Sequence, residues 1–92
     1  MKSTLISYDL IAPNRDYSRL IEAIKSLSPQ NWAKPLESLW LVPTTLTCAQ
    51  VRDRLTPVMD ANDKLFVTQA GPDWAGRNLA DEVAKWLKRN LS

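Results

Sequence analysis

Apolar and polar residues alternate through Thr4-Leu5-Ile6-Ser7-Tyr8-Asp9, and the β-branched and aromatic content of that run predicts a first strand. Pro13 and Asn14 break it. From Asp16 to Leu27 the period lengthens: Tyr17, Leu20, Ile21, Ile24 and Leu27 fall at i, i+3, i+4, i+7 and i+10, the stripe of an amphipathic helix that Pro29 stops. Gln30 to Pro35 has the polar and proline content of a loop, with Trp32 and Ala33 in a short strand. Leu39-Trp40-Leu41-Val42, within Ser38 to Thr44, is a short apolar run suited to a strand covered on both faces, and Pro43 marks its end or an edge position. Thr47-Cys48-Ala49-Gln50 matches a capping box and opens a second helix with Val51, Leu55, Val58 and Met59 on its apolar side. Pro57 predicts a kink or break near Thr56, because it deletes an intrahelical bond and clashes with the preceding turn. Asp60 to Asp63 reads as a turn, Lys64 to Gln69 as the last strand, and Arg77 to Leu91 as a terminal helix.

The first six elements spell β-α-β-β-α-β, the ferredoxin-like unit, so the expected fold class is α+β, a ferredoxin-like sandwich with an extra C-terminal helix. One domain spans residues 1–92, with a core at about 1–70 and a helical extension at about 77–91. Two helices would cover one face of a four-stranded antiparallel sheet. The other face must then meet the terminal helix, a second subunit or a ligand, since a bare apolar sheet face invites aggregation; a homodimer is expected on that ground.

Composition narrows the chemistry. Hydrophobic residues make up 45% of the chain and there are four tryptophans, which predicts an ordered domain. Trp40 and Trp86 sit on apolar stripes and are expected in the core, whereas Trp74 stands in a Gly-flanked loop. The chain has no histidine, which excludes imidazole acid–base catalysis and Ser-His-Asp or Cys-His pairs. Its single cysteine, Cys48, excludes an intrachain disulfide and a Cys-x-x-Cys site, and fits a reducing, cytoplasmic setting. Two glycines cannot build a phosphate-cradling loop. No run approaches the ~20 apolar residues of a membrane span, and no signal peptide is visible. The net charge of +2 neither demands nor excludes nucleic acid. Any catalysis would rest on carboxylates, hydroxyls and a hard metal held by oxygen.

Asp9, closing the first strand, is the leading candidate, because a carboxylate beside buried strand residues needs a hydrogen bond, an ion pair or a metal. Several segments together resemble a known family: Ser7-Tyr8-Asp9-Leu10 ending the first strand, Ser38-Leu39-Trp40-Leu41-Val42, the helix capped at Thr47, Asp63-Lys64-Leu65-Phe66-Val67, and Asp73-Trp74-Ala75-Gly76. They resemble SinR-like small proteins of the CRISPR-associated Cas-two and virulence-associated protein D superfamily, over nearly the whole chain. The resemblance implies a ferredoxin-like homodimer in which Asp9 faces its symmetry mate. It also implies a metal-dependent endoribonuclease or endodeoxyribonuclease using Mg²⁺ or Mn²⁺, or else a nucleic-acid-binding scaffold in CRISPR-associated defence. Lys34-Pro35-Leu36-Glu37 departs from the arginine and glutamine that usually precede the middle-strand core of the CRISPR proteins, and this argues against an integrase partner.

Two roles stand for Asp9. It is either a catalytic residue and metal ligand shared across a dimer axis, or a strand-end aspartate capping the next turn through its own hydrogen bonds. Ser7 shares Asp9's sheet face by the period-two rule and is the expected helper in substrate binding, its plain alternative being strand packing. Arg15 and Arg19 follow in the loop and first helical turn, to contact substrate phosphates or to pair with Asp16 and Glu22 at the surface. Lys85, Lys88 and Arg89 either touch a nucleic-acid backbone or solvate the end of the terminal helix. The two functional readings are a dimeric phosphodiester hydrolase and a non-catalytic dimeric binding or scaffold module for nucleic acid or a protein partner.

Overall fold

Hydrogen bonding joins the predicted strands into one sheet. The computed structural model describes residues 2–11 and 16–91. Its elements in order are β1 (Lys2–Asp9), α1 (Ser18–Ser26), β2 (Ala33–Leu36), β3 (Leu39–Thr44), α2 (Cys48–Leu55), a 3₁₀ turn at Thr56–Val58, β4 (Lys64–Gln69) and α3 (Asp81–Asn90). The sheet runs β2-β3-β1-β4 with every neighbouring pair antiparallel. The chain is thus an α+β domain with a four-stranded antiparallel sheet and three helices.

Strand alternation divides the core in two. Ile6 and Tyr8 of β1 and Trp40 and Val42 of β3 turn toward α1 and α2, where they meet Leu20, Ile24, Val51 and Leu55. Leu5, Leu41 and Ala33 turn the other way and meet Trp86, Leu87 and Leu91 of α3. Trp40 and Trp86 are both core residues, as expected, at 2% and 7% exposure. Each indole finds a partner: Trp40 Nε1 donates to Tyr8 Oη at 2.9 Å, and Trp86 Nε1 to Asn31 Oδ1 at 2.7 Å.

Several boundaries differ from those read in the sequence. β2 lies at Ala33–Leu36 and includes Pro35, with Trp32 outside it, packed on Trp40 at 5.0 Å between ring centroids. An edge strand with an irregular register tolerates a proline, and β2 is both. Pro43 sits within an inner strand. The Tyr8 amide donates to Ser38 on the β3 side, so the even residues of β1 bond toward β3; by alternation Pro43 turns toward β2, which has already ended at Ala33 opposite Leu41. No ladder donor is required there.

The capping box at Thr47 is formed in full: Gln50 N donates to Thr47 Oγ1 at 3.1 Å and Thr47 N to Gln50 Oε1 at 2.9 Å. Before Pro57 the helix gives way to the 3₁₀ turn, which is the expected break. The terminal helix begins at Asp81, four residues later than Arg77. Asn78 takes a left-handed φ of 62°, which a continuing helix cannot include.

Candidate functional site

α3 covers only part of the second sheet face. Residues 70–80 and α3 lie over the end near Leu5 and Leu41, leaving an apolar cavity of about 460 Å³ beneath them. Toward the other end that face is open, and Leu36 and Phe66 are 58% and 63% exposed.

Asp9 lies at this open end. It pairs in register with Lys64 of β4, and Ser7, between Leu39 and Phe66, shares its face as the alternation requires. Ser7, Tyr8, Asp9, Lys64, Leu65 and Phe66 line a shallow hollow of about 210 Å³. Asp9 itself is exposed. Contrary to expectation, Asp9 carries no burial to compensate: β1 projects its last residue into solvent, and a solvated carboxylate needs no partner.

Among the described residues of the following turn, the cap comes from elsewhere. That task falls to Asp63, which the sequence placed in an ordinary turn. Asp63 Oδ1 accepts from Ile11 N at 2.9 Å and from Tyr17 Oη at 2.8 Å, while Oδ2 accepts from Asp60 N at 2.8 Å. One carboxylate thus ties the start of β4 to the segment after β1 and to the approach to α1. Its only sequence signal is an aspartate just before a strand, a position shared by many turn residues.

The other candidates separate. Arg19 is exposed on α1, which packs on the opposite sheet face, so it does not line the Asp9 hollow. Arg15 lies outside the described residues. Asp16 accepts from Ser18 N at 2.9 Å; bonds from the Ser18 amide, then from its side chain, hold this exposed carboxyl below its ordinary value.

Among the described residues no group of three or more His, Cys, Asp or Glu could hold a metal ion. Within one chain the donor set around Asp9 does not fit Mg²⁺ or Mn²⁺: it offers one carboxylate, and the Lys64 ammonium shares the hollow and opposes a second cation.

Cations gather elsewhere, about the β2 edge. Lys25 lies 5.0 Å from the Trp32 ring and Lys34 5.2 Å from the Trp40 ring, on the α1 side of that edge. On the other side α3 packs against β2 and exposes Lys85, Lys88 and Arg89, which with Glu82 border a shallow groove. No helix among the described residues is long and apolar enough to cross a membrane. No protein-family model matches the chain, and no solved structure matches it.

Proposed function

We propose that this protein is a homodimeric nucleic-acid-interacting module with a ferredoxin-like core, of the type its resemblance to the Cas-two and virulence-associated protein D superfamily implies. The core assignment is supported by α1 and α2 sharing one sheet face and by each β-α-β step passing over one intervening strand: β3 separates β1 from β2, and β1 separates β3 from β4. The single observation that carries the binding function is the group of exposed cations Lys85, Lys88 and Arg89 bordering one groove on α3. Such a group engages a phosphate backbone without reading its sequence. Binding to RNA or DNA should weaken steeply with salt. Replacing Lys85, Lys88 and Arg89 with Gln should lower affinity for all sequences and flatten the salt dependence by about three counterions. Affinity that ignores these substitutions, measured by fluorescence anisotropy, would refute the assignment.

A second reading, metal-assisted phosphodiester hydrolysis, is favoured by one observation: the exposed Asp9 carboxylate faces the open end of the sheet, where a second chain can bring its own. Asp9 would then hold Mg²⁺ or Mn²⁺ jointly with its mate, and Ser7 would orient substrate beside it. Cleavage that requires the metal and vanishes in Asp9→Ala, with binding retained, is the expected signature. Binding without turnover in either protein would leave the scaffold reading standing alone.

A further inference from the structure

We propose that the cavity between the second sheet face and the strap of residues 70–80 is a binding site for a free amino acid with a large apolar side chain. Leu5 and Leu41 of the sheet, Leu87 of α3, and Trp74 and Leu79 of the strap supply its apolar lining. The strap folds back on itself there, since a Cβ at Gly76 would collide with the Leu79 side chain. At about 460 Å³ the space falls within the roughly 300–1,000 Å³ of small-molecule sites, which pair an apolar lining with a few polar groups that fix orientation.

Two charges of opposite sign interrupt that lining, Asp73 and Arg77, both on the strap. Neither is tied down: both residues are exposed, and among the described residues neither side chain makes a hydrogen bond or an ion pair. A carboxylate and a guanidinium beside one apolar cavity complement a molecule that carries an ammonium, a carboxylate and an apolar body. In a free amino acid those three groups meet at one carbon. Asp73 accepts from its ammonium, Arg77 donates to its carboxylate, and its side chain enters among Leu5, Leu41 and Trp74. Simpler ligands match less of the site. A plain carboxylic acid sets an anion beside Asp73, an amine sets a cation beside Arg77, and a hydrocarbon leaves both charges unengaged. The site shares no residue with the α3 groove of Lys85, Lys88 and Arg89, so amino-acid binding and nucleic-acid binding stand or fall separately.

Probes that share an apolar group and differ in charge test this assignment. L-leucine and L-phenylalanine are titrated into the isotope-labelled full chain and followed by amide chemical shifts. Each is compared with its one-charge analogues: isocaproate and isoamylamine for leucine, hydrocinnamate and phenethylamine for phenylalanine. At least one amino acid should saturate with a dissociation constant of about 1 mM or tighter, moving the amides of Leu5, Leu41, Trp74 and Leu79. Its analogues should bind at least about threefold more weakly, each having lost one charge-assisted contact. Arg77→Gln should weaken the amino acid at least about threefold without weakening the amine, and Asp73→Asn should do the same without weakening the acid. Both variants should keep the wild-type urea midpoint, because both side chains are exposed. Dissociation constants weaker than about 1 mM for both amino acids, or shifts confined to residues outside the cavity, overturn the site. An analogue that binds as tightly as its amino acid, or wild-type affinity in either variant, overturns the pairing of charges.

Discussion

Two aspartates exchange the parts that their sequence positions suggest. Asp9 ends an apolar strand and is solvated; Asp63 sits in a polar turn and accepts three hydrogen bonds. Their substitutions should differ accordingly. Asp9→Ala should change unfolding free energy by no more than about 0.5 kcal/mol in urea titration, as surface substitutions do. Asp63→Ala strips acceptors from two backbone amides and a tyrosine hydroxyl, and should cost about 1–3 kcal/mol in the same assay. Asp16 supplies a pH signature. Its carboxyl is held below 3.8, so the stability it contributes is present above that pH and lost as the pH falls through the lowered value. The stability difference between the wild-type chain and Asp16→Ala should therefore shrink on acidification below about pH 3.8. Asp9's location was legible in the alternation of β1; its solvation was not, because the pattern does not say how far a strand's last residue projects beyond its neighbours. Asp63 was illegible because its partners lie 46 and 52 residues away in the chain.

At the scale of elements, local chemistry and tertiary pairing divide the outcome. The Thr47 capping box and the break at Pro57 are encoded within four residues of where they act, and both are formed as read. Thr47→Ala should destabilise the domain by about 0.5–2 kcal/mol, and Thr47→Ser should restore most of the loss, measured by thermal or urea unfolding. β2 was placed too early because its limits are set by what it pairs with: Leu36 and Ala33 face Leu39 and Leu41, and Trp32 packs on Trp40 in place of extending the strand. The late start of α3 has a local cause, the left-handed Asn78, but asparagine adopts that conformation only by choice of context. The Tyr8–Trp40 hydrogen bond also belongs to this scale. It joins β1 to β3 inside the core, so Trp40→Phe removes volume and leaves the Tyr8 hydroxyl without its donor.

The whole molecule is an unequal sandwich. α1 and α2 enclose one sheet face, while α3 and residues 70–80 enclose only part of the other. Of the covers expected for that second face, a terminal helix, a second subunit or a ligand, the helix takes one end, and the open end carries Asp9, Phe66 and Leu36. A chain ending after Ala70 should expose Leu5, Leu41 and Ala33 together and aggregate at concentrations where the intact protein stays clear by light scattering, because a continuous apolar face would meet water. The partial cover is also what leaves Asp9 open to a second chain.

The Asp63 cluster makes one amide a clock. Ile11 follows β1 in an exposed segment with no strand partner, yet its N–H is held by a carboxylate that arrives with the last strand. Ladder amides of β1 on the β3 side can gain protection once the first three strands have met; Ile11 cannot until β4 docks. Pulse-labelled hydrogen exchange during refolding should therefore show Ile11 protected in step with the β4 amides, so that a loop proton times the closing of the sheet.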